Sequence, residues 1–241
     1  GSCREATMFS AVVPSEPLFT IAPKRYELLI SHQFQTKIPN QQRLPAQCFC
    51  SHDLSSDPHH VFTCYRTYPH DKLKVKLAKF CSSASLYATI EPLNVTIGTR
   101  PDLSIPDLHP DGKTYLVDVT TADASRPTYL NHGSHQKYFV AAETSENAKT
   151  QKYAGTFSPE TCDFIPAALE TSGRWSKNFH RLFNKIKKFA HQNRVQDDVR
   201  HSLYVQRWRQ ILCVSYSTSL MISAESTMKD LLGISQVDAA A

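Results

Sequence analysis

The apolar residues of this chain fall into four helical stripes and several short runs whose spacing is not helical. Between 69 and 89, Leu73, Leu77, Phe80 and Ala84 recur at steps of three and four, which predicts a helix with lysines 72, 74, 76 and 79 on its remaining faces. Pro69 suits its first turn. Glu91-Pro92 ends it, because a proline disfavours α geometry in the residue before it. A second helix is predicted over 135–154, with Phe139, Ala142, Glu146, Lys149 and Tyr153 along one side. The third, over 174–192, has the clearest stripe: Trp175, Phe179, Leu182, Phe183, Ile186 and Ala190. A fourth, over 197–222, runs through Val199, Leu203, Val205, Trp208, Ile211 and Leu212. Tyr115–Thr120 is a run rich in β-branched residues and predicts a buried strand. Pro110-Asp111-Gly112-Lys113 ahead of it is a turn, since proline presets φ and glycine tolerates positive φ. With extended segments at Val95–Gly98 and Asp102–Ile105, residues 100–120 read as a β-hairpin. Cys162–Leu169 is apolar enough for another strand, which Pro166 interrupts. Residues 1–46 carry several prolines and little charge patterning, and read as an arm or linker with a short strand or helix around Tyr26–Ile30. The tail after 233 is expected to fray.

Composition narrows the class. The chain has 241 residues, 41% of them apolar, and a mean hydropathy of -0.38, as a soluble globular protein would. No apolar run approaches the ~18 residues a spanning helix needs, and no signal peptide is recognised, so no membrane partner is expected. The seven glycines are too scattered to cradle phosphates, which excludes P-loop and Rossmann fingerprints. Seven cysteines is an odd count, and a disulfide framework is not expected. Those at 3, 81, 162 and 213 are scattered and read as ordinary buried thiols, whereas 48, 50 and 64 cluster.

Four constellations carry chemistry. Cys48, Cys50 and Cys64, with His59 or His60 as the fourth ligand, supply the soft tetrahedral set of a structural zinc site, although one residue between the first two cysteines is a tight spacing. Arg100-Pro101-Asp102 and, fifteen residues on, Asp118-Val119-Thr120 place two carboxylates at the ends of paired strands, where they could share Mg²⁺ or Mn²⁺. Glu146, Lys149 and Tyr153 share one helical face, which Lys152 flanks at roughly 60° from Lys149. A lysine there could stabilise a phosphate in transition. Finally, residues 174–194 contain Arg174, Lys177, Arg181, Lys185, Lys187, Lys188 and Arg194 with no acid among them, an electrostatic footprint for a phosphate backbone within a net charge of only +5.

Taken in order, these pieces resemble the C-terminal region of non-LTR retrotransposons of the restriction-like endonuclease class. The matching features are the knuckle at Cys48–Cys64, the lysine-rich stretch 70–80, Glu91-Pro92, Arg100-Pro101-Asp102, Asp118-Val119-Thr120, residues 146–153, Phe164-Ile165-Pro166 and Glu170-Thr171-Ser172-Gly173. The resemblance implies an α/β fold with a PD-(D/E)xK core, a mixed central sheet flanked by helices, beside a small N-terminal zinc knuckle. It divides the chain into an arm (1–46), knuckle (47–68), nuclease domain (69–233) and tail (234–241). It implies a Mg²⁺- or Mn²⁺-dependent endonuclease that nicks target DNA to prime reverse transcription, in the nucleus. DNA and element RNA would be its partners, with a reverse transcriptase domain upstream. Asp102 and Asp118 would hold the metal, Glu91 could add a carboxylate, and Lys149 or Lys152, with Tyr153 nearby, would replace the strand lysine that Thr120 lacks. Arg100 and the basic helix would hold the DNA backbone. Two rivals remain: a nucleic-acid-binding module without catalysis, and an interaction domain held by zinc.

Overall fold

A computed structural model describes residues 19–64, 69–93, 100–193 and 198–233. Cys3, Val95–Gly98, Arg194 and the tail lie outside the described residues. The described residues divide into two compact units. One spans 70–213; the other joins those up to Pro69 with 214–233.

The second unit begins with α1 (Pro23–Phe34), which supersedes the strand alternative at Tyr26–Ile30. It starts on a proline and ends at Gln35 in the left-handed conformation, φ 51°. Leu28, Leu29, Ser31 and His32 are its buried positions, and the His32 ring lies 4.4 Å from Phe62. Arg25 donates to Glu225 at 2.9 Å within the same unit.

The first unit opens with α2 (Pro69–Ser83), shorter than the spacing predicted. Ser85 turns left-handed, φ 64°. The chain beyond it becomes β1 (Thr89–Ile90) rather than further helix. β1 pairs antiparallel with β2 (Leu103–Ile105), and β2 antiparallel with β3 (Thr114–Ala122), as the hairpin reading requires. A single helical turn at Pro127–Leu130 precedes α3 (Val140–Lys152). This helix crosses over to β4 (Cys162–Glu170), which runs parallel to β3 over nine residue pairs. The sheet order is β1-β2-β3-β4. Pro166 does not interrupt β4. The strand lies at the edge of the sheet, where a missing N–H need not break a ladder. α4 (Lys177–Asn193) and α5 (Asp198–Leu231) complete the order.

The fold is mixed α/β, with helices on both faces of a four-stranded mixed sheet. Side chains alternate along β3, so Tyr115, Val117 and Val119 face one way and Leu116, Asp118 and Thr120 the other. On the first face, Lys185 of α4 lies over the Tyr115 ring at 4.9 Å. Phe183 of α4 stacks on Phe80 of α2 at 4.9 Å. On the second face, Lys149 and Tyr153, in and just after α3, reach Asp118. The α4 stripe is buried as its spacing predicted, and Trp175 fills the space between Phe179 and Phe183 at centroid distances of 4.7 and 5.2 Å.

Trp175 is fully buried, whereas Leu203 is 60% exposed. Trp175→Ala is expected to cost about 3–5 kcal/mol by denaturant midpoint, and Leu203→Ala under about 0.5 kcal/mol. Equal effects of the two would show that Trp175 is not part of the core.

Candidate functional site

Sheet register builds the acidic centre. The β2–β3 ladder pairs Leu103 with Val117, so its next step brings Asp102 opposite Asp118. The β1–β2 ladder pairs Ile90 with Leu103, so its next step brings Glu91 opposite Asp102, with Glu91 N–H donating to the Asp102 carbonyl at 2.8 Å. Three carboxylates thus stand in one row across three strands. Like charges facing each other across strands repel, so the row needs cations beside it.

Those cations are present. Lys149 Nζ lies 2.6 Å from Asp118 Oδ2. That oxygen is buried and has no hydrogen bond, so its compensation is the charge alone. Tyr153 Oη lies 3.1 Å from the Arg100 carbonyl and 3.3 Å from Asp118 Oδ1, so its single proton is shared between these two acceptors. Burial, then the Asp118 charge, pushes the Tyr153 phenol up to about 12, which keeps it a donor at neutral pH. Lys152 lies over the Tyr153 ring instead, 5.2 Å from its centroid. Of the two lysines the sequence left open, Lys149 is therefore the one placed against the acids. Thr120, on the same face of β3, carries no charge.

Asp102 is locked from two sides. Val119 N–H donates to its Oδ2 at 2.7 Å, and Lys74 Nζ stands 3.7 Å from its Oδ1. Burial raises its pKa, the Val119 bond opposes that, and repulsion from Asp118 adds to it. Glu91 meets Lys74 at 2.6 Å and Arg100 Nη2 at 2.7 Å. The Lys74 hydrogen bond holds the Glu91 carboxyl below its ordinary range. Lys74, which the spacing set on a face outside the apolar stripe, is only 4% exposed. The signal was available, since residue 74 stands three before Leu77 and borders the apolar stripe. Glu146, grouped with Lys149 by spacing, points elsewhere. It accepts from Ala168 N–H at 3.4 Å and Asn178 at 3.0 Å, and burial raises its pKa.

The basic stripe is partly spoken for. Arg174 precedes α4, lies 3.6 Å from Glu170 and stacks over the Tyr138 ring at 4.7 Å. Lys177 pairs with Glu143 at 2.7 Å. Arg181, Lys187 and Lys188 make no ion pair with a described residue. Lys177, His180, Arg181, Asn184, Lys185 and Lys188 line a shallow groove on this helix. Of these, Lys185 lies over Tyr115, on the face of the sheet away from Asp118, whereas Lys177 meets Glu143 of α3, the helix that carries Lys149.

The knuckle is a separate construction in the second unit. A tight turn, with Ser51 left-handed at φ 66° and its N–H on the Cys48 carbonyl, brings Cys48 and Cys50 together despite their close spacing. A short 3₁₀ helix, Pro58–Phe62, presents the histidines. One ligand atom from each of Cys48, Cys50, His60 and Cys64 lies within 4.8 Å of all the others. The Cys48 and Cys64 sulfurs are 3.6 Å apart, close to the ~3.8 Å expected of two thiolates on one tetrahedral zinc. Cys50 Sγ and His60 Nε2 stand at 2.9 Å and would part slightly around an ion. His59 turns away and donates from Nε2 to the Thr36 carbonyl at 3.0 Å. The choice between the two histidines thus falls on His60. The His52 ring stacks on His60 at 4.0 Å, and its Nε2 lies 3.0 Å from Asp57 Oδ2, which steadies the set from outside. These residues could hold a metal such as zinc. Of the scattered cysteines, Cys81 is fully buried, which pushes its thiol up to about 12 and leaves it inert.

Compared with known proteins, the chain matches no protein-family model and no curated sequence.

Zinc is expected at one ion per chain by elemental analysis of the purified protein. His60→Ala or Cys64→Ser should lose it. His59→Ala should keep it at a stability cost of about 1 kcal/mol, from the orphaned Thr36 carbonyl. Retention of zinc by His60→Ala with loss by His59→Ala would reverse the ligand assignment.

Proposed function

We propose that this chain is a metal-dependent DNA endonuclease domain with a structural zinc knuckle, of the restriction-like class carried by non-LTR retrotransposon proteins. The observation that carries the reading is the row Glu91–Asp102–Asp118 with Lys149 brought to 2.6 Å from its last member by the crossover helix. The four-stranded mixed sheet flanked by helices is consistent with it, since the resemblance implies a mixed central sheet of that kind.

Asp102 and Asp118 would hold Mg²⁺ or Mn²⁺, with Glu91 as the outlying carboxylate. Both aspartates offer the hard carboxylate oxygens such an ion prefers, and Lys149 stands 2.6 Å from Asp118 Oδ2 as the cation of that position. A bound cation there would lower the pKa of a water and neutralise a scissile phosphate. The chain's own residues do the rest. Lys149 offers an ammonium at the edge of the site to the charge that develops on a phosphoryl oxygen. Tyr153 holds the Asp118 carboxylate by its other oxygen and ties it to the backbone at Arg100. Arg100, more than half exposed, is available to a phosphate once it leaves Glu91. In this reading the protein acts in the nucleus on target DNA, with element RNA and a reverse transcriptase as its companions.

One observation favours a second reading. Arg181, Lys187 and Lys188 of α4 make no ion pair with a described residue, so this helix can bind a phosphate backbone without catalysis.

Plasmid nicking in Mg²⁺ or Mn²⁺ tests the proposal. Wild type should nick, and Asp102→Asn, Asp118→Asn and Lys149→Ala should each fall about 10²–10³-fold, while Lys152→Ala stays near wild type. Equal nicking by all of these proteins overturns the endonuclease reading. Salt-dependent DNA binding without any metal-dependent cleavage selects the binding module in its place.

A further inference from the structure

A second groove lies where α4 meets the first turns of α5. Lys187, Lys188, His191, His201 and Ser202 line it. It shares Asn184 and Lys188 with the groove described above, so the two make one continuous surface from Lys177 to His201. Lys177, Arg181, Lys185 and Lys188 follow one another at steps of four, four and three, which keeps them on one side of the helix. At the rise of an α-helix, Lys177 and His191 stand roughly 20 Å apart. Among the described residues, Glu143 takes Lys177 at 2.7 Å, and Asp198, almost wholly exposed, stands 3.8 Å from His191 Nε2. Arg181, Lys187 and Lys188 have no such partner. No phenylalanine, tyrosine or tryptophan lines either groove, so unpaired bases find no ring of these kinds to stack on. What the surface offers is ammonium, guanidinium, imidazole, amide and hydroxyl groups, which suit phosphate oxygens.

We propose that this surface docks the phosphate backbone of a nucleic-acid duplex, with His191 and His201 carrying the grip from α4 onto α5 and tightening it as the pH falls. It rests on the nucleic-acid part of the function proposed above and not on catalysis at the acidic centre. Charge complementarity sets the partner. A duplex carries one negative charge per ~1.7 Å of its axis, so a row of cations of this length meets several phosphates at once.

The histidines add the pH-dependent part. The His191 and His201 ring centroids lie 4.4 Å apart, and the Tyr204 ring lies 6.2 Å from that of His201. The charged groups facing His201 are His191 and Lys187 of α4 and Asp198 of its own helix. Burial, then repulsion from His191 and Lys187, holds its pKa below the ordinary histidine value, against the pull of Asp198. His201 is therefore neutral at pH 7 without a ligand. A phosphate among these groups supplies the negative charge that favours the imidazolium. Proton uptake then accompanies binding, so affinity starts to grow as the pH falls through the pKa of the bound state and is fully gained below that of the free state.

The test is fluorescence anisotropy of a labelled DNA duplex, the RNA duplex of the same sequence and each of their single strands, with the full chain, over a salt series at pH 7.5 and 6.0. At least one duplex should bind more tightly than its own single strand, and the tighter of the two names the duplex. With about four phosphate contacts, the log–log salt slope on DNA should be near −4. Lys187→Gln combined with Lys188→Gln should lower that slope by about two and weaken binding about tenfold. From pH 7.5 to 6.0 wild type should tighten about tenfold, and His191→Gln combined with His201→Gln by under about threefold. If that double variant does not fold, His191→Gln alone serves, since its side chain is half exposed, and it should lose part of the acid gain. Single strands bound more tightly than both duplexes, an unchanged salt slope in the lysine variant, or an acid gain equal in wild type and the histidine variant each overturns the proposal. A wild type that binds in this way but never nicks sinks the endonuclease reading and leaves the surface standing. Nicking with an unchanged slope in the lysine variant does the reverse.

Discussion

A carboxylate buried on an apolar strand is tolerable only with a cation beside it, and Asp118 is that carboxylate here. Left alone it would cost several kcal/mol, or would take up a proton. Lys149 answers it from α3, so the helix must lie where its lysine can reach the middle of β3. The crossover that carries it leads into β4, which pairs parallel along the full length of β3. The ion pair is not cheap to bury. Its presence in place of a well-packed apolar contact is a reason to look for chemistry at that point.

The same reasoning extends outward from Asp118. Antiparallel register places Asp102 and Glu91 in line with it, and repulsion along that line would splay the strand ends without help. Help comes from three different parts of the chain: Lys149 after the row, Lys74 before it, and Arg100 within it. Acids and bases therefore alternate, and no member is compensated by a sequence neighbour alone. Such a network holds its side chains in place more firmly than isolated surface pairs do, since several partners fix each charge.

The knuckle solves a different problem by different means. The segment from Cys48 to Cys64 combines a tight turn, a short 3₁₀ helix and a set of soft ligands with three buried apolar side chains, Leu54, Val61 and Phe62. Metal binding in such a segment is itself folding free energy, on the order of 10 kcal/mol. His59 shows how selective the arrangement is. Adjacent to His60 in sequence, it points to a backbone carbonyl instead of the sulfurs.

Much of this was legible in the residues. The apolar stripe of α4 and the β-branched run of β3 announced themselves, because spacing and branching act locally. The knuckle cysteines and the pair Asp102/Asp118 stood out for the same reason, being chemistry in short range of sequence. What escaped was long-range. Whether Lys149 or Lys152 met Asp118 depended on how α3 rotates against the sheet, and whether His59 or His60 faced the sulfurs depended on one turn of 3₁₀ helix. The spacing showed only that Lys74 borders the apolar stripe, and its burial became plain with the partners 17 and 28 positions away. The basic stripe shows the same division. Its charge was plain in the sequence, but only packing decided that Lys185 lies over Tyr115, on the face away from Asp118, while Lys177 pairs with Glu143 of α3. Local propensity and patterning determined the elements and the ligand types. The tertiary fold determined which charges meet, because a Coulomb interaction acts across space without regard to distance along the chain.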